Sequence, residues 1–247
     1  MRVSATKTVQ VGDVTPNRHL RLDALVNILQ EMAIEHTRQV GIELSSLLDS
    51  GRTWVLSKIH LDLKRLPTLD EKVEVQTWSR SIERFKGVRD FTFSVEGRHI
   101  ASASTLWLYI DIARRRPVRV PDHYESLYKS EKDHATGLDV EHWTHPEAVA
   151  DNAPLIITTR ISDFDVNGHV NNAVILQYIQ TAVTRAIGSD AGIQSVRLAY
   201  LKEIPENVRE VEVLVEKTGN CCNFQLGHAS AIFASGTLQI SDATGEP

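Results

Sequence analysis

The sequence predicts an α+β protein built from two copies of one unit, each an antiparallel sheet wrapped around a single long helix. Three observations predict it: a polar motif that occurs twice, an amphipathic helix pattern behind each occurrence, and a matching series of strand patterns behind each helix. The motif copies are Gly12-Asp13-Val14-Thr15-Pro16-Asn17-Arg18-His19-Leu20 and Ser162-Asp163-Phe164-Asp165-Val166-Asn167-Gly168-His169-Val170. Asp, Asn and His keep their spacing, each displaced by 150 residues (13 to 163, 17 to 167, 19 to 169).

The elements follow in order. Lys7-Thr8-Val9-Gln10-Val11 reads as a leading strand. Leu22, Leu25, Val26, Leu29, Met32, Ala33 and Val40 then recur at helical spacing, and Gly41 supplies a stop. Ala173, Val174, Leu176, Ile179, Ala182, Val183, Ala186 and Ile187 do the same in the second copy, up to Gly188. Ile59 to Pro67 matches Arg197 to Pro205 at a displacement of 138, and Val73-Glu74-Val75 lands on Val211-Glu212-Val213. Alternation continues over about 87–96 and 99–111 in the first half, and over 220–227 and 230–241 in the second. Pro117, Pro121 and Pro146 with the bounding Pro154, four histidines (His123, His134, His142, His145) and many charges set 117–153 apart as a linker between units at 1–116 and 154–247. A short helix from about Asp122 to Lys132 is expected there, with the rest an exposed connector.

Composition narrows the class. Hydrophobic residues at 42% and charged residues at 24% are ordinary for a soluble globular chain. No run approaches the roughly 20 apolar residues a membrane span needs. Met1 to Lys7 lacks the apolar core of a signal peptide, so a cytoplasmic protein is expected. Cys221 and Cys222 are adjacent, which suits neither a useful disulfide nor a metal pair. The linker histidines lack ligand spacing and read as solvated, so neither metal nor cofactor is expected. A net charge of −5 argues against a chain that coats nucleic acid.

The densest polar cluster flanked by core-like sequence is 163–172, on the loop entering the second helix. Unpaired N–H groups at such a helix end can polarise a carbonyl oxygen. Asp165, Asn167 and His169 alternate, so an extended backbone would project all three to one side. Caps and an Asn-Gly turn explain such residues equally well in isolation. The comparison between copies favours chemistry: Thr15 stands at the Asp165 position and Arg65 opposite Glu203, so both extra carboxylates fall in one half. No Gly-x-Ser-x-Gly elbow offers a serine, which leaves activated water or a carboxylate as nucleophile.

Ser162 to Asn172 closely resembles the active-site signature of acyl-acyl carrier protein thioesterases, a family of tandem (double) hotdog proteins. Asn17-Arg18-His19-Leu20, Trp54-Val55-Leu56 and Ala103-Ser104-Thr105-Leu106-Trp107 with Asp111 extend the resemblance over nearly the whole chain. It implies a catalytic set of Asp165, Asn167, His169 and Glu203. Plant members carry a cysteine after that glutamate; Ile204 stands here, which removes a cysteine mechanism. The resemblance further implies that the first hotdog holds the acyl chain and the second hydrolyses its thioester, in a bacterial cytoplasmic form. Leu25, Leu29, Met32 and Trp54 are candidates to line the chain, and core packing explains them equally well. The implied partner is an acidic acyl carrier protein, for which Arg114, Arg115 and Arg116, with Arg119, Lys64 and Arg65, are candidate docking residues. A homodimer stays open, because two fused hotdogs already supply the pairing single ones obtain by dimerising. An acyl-CoA thioesterase, a non-enzymatic acyl-binding protein and a hotdog dehydratase are the rival expectations.

Overall fold

Leu22, Leu25, Val26, Leu29, Met32 and Ala33 lie on one side of a helix, and that side is the buried face of α1 (Leu22–Gln39). In the computed structural model, residues 1–150, 153–165, 168–188 and 192–241 are described. They divide into two compact units, Met1–Trp143 and Thr144–Pro247.

The first unit runs β1 (Arg2–Thr8), α1, α2 (Leu44–Asp49), β2 (Arg52–Leu63), β3 (Lys72–Glu83), β4 (Lys86–Val95), β5 (Arg98–Asp111), β6 (Arg116–Pro117) and α3 (Tyr124–Tyr128). Its sheet order is β1-β3-β4-β5-β2, antiparallel throughout, with β6 on β5. The second runs β7 (Leu155–Thr158), α4 (Asn172–Ile187), β8 (Ile193–Tyr200), β9 (Glu210–Thr218), β10 (Cys221–His228) and β11 (Ala231–Ile240). Its order, β8-β11-β10-β9-β7, is the same path walked from the other end. Both long helices end where a glycine takes positive φ, Gly41 at 83° and Gly188 at 92°. Among the described residues no helix is long and apolar enough to cross a membrane.

The repeat has a finer register than its sequence suggests. Ala5 faces Val75 and Leu155 faces Val213, so β3 and β9 do differ by 138. Around the loop after β2 the displacement is 137: Lys64 and Arg65 N–H both reach Ile100 O, where Leu201 and Lys202 reach Phe233 O. Glu203 therefore corresponds to Leu66, and Arg65 to Lys202, correcting the Arg65–Glu203 pairing. The second unit inserts one residue after the turn closed by Val208 N–H on Pro205 O, whose counterpart is Glu71 N–H on Thr68 O. The two prolines that suggested the pairing are not equivalent.

Segment 117–153 is not simply an exposed connector. Val120, Tyr124, Tyr128 and Val140 are buried, and Trp78 Nε1 donates to Asp133 O at 3.0 Å while Lys58 Nζ donates to Glu141 O and Trp143 O at 2.8 and 2.7 Å. Buried apolar side chains and satisfied donors hold the first part of this segment to the first unit. Its helix is shorter than expected because Lys129 turns left-handed and ends it.

Candidate active site

Two loops of the second unit build the site: 164–171, entering α4, and 201–205, following β8. Asp165 N–H donates to His169 O at 2.8 Å and Gly168 N–H to Asp165 O at 3.0 Å. Val170 N–H then donates to Ile204 O at 3.0 Å, and His169 bridges Pro205. Ile204 is fully buried and anchors the second loop, while Glu203 beside it stays exposed. His169 Nε2 consequently lies 3.2 Å from Glu203 Oε2, with 19% and 44% of the two side chains exposed. A carboxylate there accepts a hydrogen bond from the imidazole Nε2–H, which leaves Nδ1 as the acceptor nitrogen of that tautomer. The site is half open, as a reacting pair must be.

Asp165 Oδ1 accepts from the backbone N–H of His169 at 3.4 Å. The expected alternation is not what joins these residues. A bond from Gly168 N–H to Asp165 O closes a turn, and Gly168 adopts a φ of 73° that most residues avoid. Asn167 lies outside the described residues. The loop enters α4 through Asn171, whose side chain accepts from Ala173 N–H at 2.8 Å.

Beneath the loop sits a clamp that sequence reasoning missed. Asp163, 2% exposed, accepts from Arg160 N–H at 2.8 Å, from Arg160 Nε at 3.0 Å and from the Tyr178 hydroxyl. Burial, and then the bond to Asp163, push the Tyr178 phenol well above its ordinary range. Asp163 O also accepts from Asn171 N–H at 2.9 Å, closing the loop. The first unit closes the same backbone ring, from Arg21 N–H to Asp13 O at 2.9 Å, with Ile28 and Gln10 at the Tyr178 and Arg160 positions. The backbone ring thus forms without the clamp. Comparing the copies at their displacement of 150 would have exposed it.

Other expected residues are placed as follows. Leu25, Leu29 and Met32 are fully buried on α1. Trp54 is half-buried, with its ring 5.1 Å from Tyr109 and packed over Gly87. Arg114, Arg115 and Arg116 are exposed after β5, where Arg114 N–H donates to Asp111 Oδ1 at 2.9 Å. Cys222 is buried on β10, which pushes its thiol up.

A long helix associated with an antiparallel sheet is a hotdog-like fold, and a histidine–carboxylate pair stands at the helix entrance of its second unit. The family description "acyl-ACP thioesterase N-terminal domain" matches residues 3–128, and "acyl-ACP thioesterase C-terminal domain" matches residues 146–238. The chain belongs to the acyl-ACP thioesterase family. It is 26% identical over 237 residues to a chloroplastic acyl-[acyl-carrier-protein] hydrolase of Cuphea viscosissima, covering 90% of this chain and 57% of that relative. It is 22% identical over 251 residues to oleoyl-acyl carrier protein thioesterase 1 of Arabidopsis thaliana, covering 95% and 68%. The chain thus spans little more than half the length of the Cuphea relative. In fold it is similar to an acyl-ACP thioesterase from Bacteroides thetaiotaomicron (TM-score 0.83, 22% identity, 97% and 98% of the two chains). The 12:0-ACP thioesterase from Umbellularia californica is as similar (0.84, 22%, 97% of each).

Proposed function

We propose that this chain hydrolyses the thioester of fatty acyl-acyl carrier protein, releasing free fatty acid in fatty acid biosynthesis. It does so as a tandem hotdog: residues 1–116 hold the acyl chain, with Leu25, Leu29, Met32 and Trp54 along it, 117–153 link, and 154–247 carry out the chemistry. The observation that supports this most is His169 Nε2 at 3.2 Å from Glu203 Oε2, in a chain of the acyl-ACP thioesterase family. Glu203 orients the imidazole, and His169 Nδ1 takes a proton from water as its oxygen attacks the thioester carbon. Asn167 and backbone N–H groups hold the carbonyl oxygen as it gains charge. The C–S bond then breaks and the imidazolium returns its proton to the departing thiolate. Asp165 holds the His169 backbone throughout. A cytoplasmic location belongs to the same reading.

The test is a rate comparison of acyl-carrier protein against acyl-CoA, with free fatty acid as the measured product. Faster hydrolysis of the carrier-linked chain is expected; faster hydrolysis of acyl-CoA would reassign the substrate. Arg114, Arg115 and Arg116 are proposed to dock the acidic carrier. A Michaelis constant that rises steeply with salt is expected on that basis, and a flat salt profile counts against it. Label found in the Asp165 side chain after a single turnover in labelled water would eliminate direct water attack, because it requires an anhydride whose aspartyl carbonyl the water has attacked.

A further inference from the structure

The first unit buries a polar pair for which the proposed reaction has no use. Arg89 on β4 is 7% exposed and His36 on α1 is fully buried. Arg89 Nη1 lies 2.7 Å from His36 Nδ1 and donates to Thr77 Oγ1 at 3.3 Å, and its guanidinium carbon is 5.7 Å from the Tyr128 ring centre. Guanidinium cannot accept, so Nδ1 does, and the imidazole proton sits on Nε2. Nε2 is buried and has no hydrogen-bond partner among the described residues. Nor does any carboxylate there pair with Arg89. Burial pushes Arg89 down only to about 10 and His36 down to about 3, so at neutral pH the first is charged and the second neutral. Nearby hydroxyl protons are committed: Thr77 donates to Asp90 O at 2.9 Å, Thr105 to Arg89 O at 3.1 Å, and Tyr128 to Thr37 Oγ1 at 2.9 Å. The His36 Nε2–H therefore has no acceptor, and the guanidinium beside it, bonded to His36 Nδ1 and Thr77 Oγ1, has no counter-anion among the described residues.

A buried cation without a counter-charge is costly, and the fold does not require it. Arg89 stands opposite Ser79, as Cys222 stands opposite Lys217 in the second unit, and His36 corresponds to Ala186 at the displacement of 150. The same place in the second unit thus carries Cys and Ala. His36 also continues the α1 stripe Leu25, Leu29, Met32, at steps of four, three and four residues. That stripe is the one proposed to line the acyl chain.

We propose that Arg89 and His36 form a subsite for an acceptor oxygen carried on the acyl chain, so that hydroxy- or keto-acyl chains are a preferred substrate class. This rests on the thioesterase reading above. The test takes carrier-linked chains of one length, plain or bearing a single hydroxyl moved carbon by carbon. kcat/KM is measured for the wild type, Arg89→Gln, Arg89→Lys and His36→Leu. At some hydroxyl position the wild type is expected to favour the hydroxylated chain about tenfold, as one bond to a charged donor supports. Arg89→Gln and His36→Leu are expected to bring that ratio towards one, and Arg89→Lys to keep part of it. A wild-type ratio near one at every position overturns the subsite, and so does a preference that survives in both Arg89→Gln and His36→Leu. The wild-type series decides even where a variant fails to fold. Plain chains hydrolysed without a hydroxyl preference overturn the subsite alone, whereas no hydrolysis of any chain overturns the thioesterase reading with it.

Discussion

His169 and Glu203 hold each other through one contact of 3.2 Å, so either side chain alone is expected to matter. Glu203→Gln keeps the shape and removes the charge that stabilises an imidazolium; its kcat is expected to fall at least tenfold with KM little changed, read from steady-state hydrolysis. A second prediction concerns His36, whose folded value of about 3 lies below the ordinary 6.5 because burial disfavours its charged form. A depressed folded value contributes stability that is complete above 6.5 and lost as pH falls towards 3. Between pH 7 and pH 4.5 that loss is about 2–3 kcal/mol. His36→Gln keeps an acceptor for Arg89 and cannot titrate. Its urea midpoint is expected to fall less over that range than the wild type's, and equal falls would contradict the assignment. Asp165 and His169 were legible as candidates because a dense polar cluster interrupts core-like sequence there, and Glu203 because the family resemblance implied it. Tyr178, His36 and Arg89 were not, because buried polar residues among apolar neighbours look like core or surface until their partners are known. Nor was Arg160, because an exposed arginine gives no sign of the buried carboxylate it holds.

At the scale of elements, both long helices and the four strands after each followed from periodicity, and both helix stops from glycine. The leading strand, however, lies at Arg2–Thr8 and not at Lys7–Val11, and α2 was not expected. Registers did not follow. A one-residue insertion after the 205–208 turn leaves β9 in step with β3 yet shifts the Glu203 loop, and matching prolines concealed it. Pattern records residue type, whereas register is fixed by hydrogen bonds that a turn can offset by one. Gly236 shows how tightly such bonds bind β11 to its neighbours. A Cβ there would lie 2.0 Å from Arg197 O and 2.7 Å from the Phe224 ring. Gly236→Ala is therefore expected to destabilise the protein by about 4 kcal/mol or more, seen as a lowered urea midpoint or loss of soluble protein. Asn171→Ala removes the α4 cap and is expected to cost about 1 kcal/mol by the same measurement.

At the scale of the whole molecule, two copies of one plan have diverged in opposite senses. The second carries Asp165 where the first has Thr15, Glu203 where it has Leu66, and the Tyr178–Asp163–Arg160 clamp; the first has His36 and Arg89 where the second has Ala186 and Cys222. That division suits a protein in which one half binds and the other reacts. The most direct measurement is release of free fatty acid from acyl-acyl carrier protein by the purified wild type, by Asp165→Ala and by His169→Ala. Steady hydrolysis by the wild type is predicted, with both variants slower by about a hundredfold or more. An inactive wild type, or near-normal rates in both variants, would contradict it.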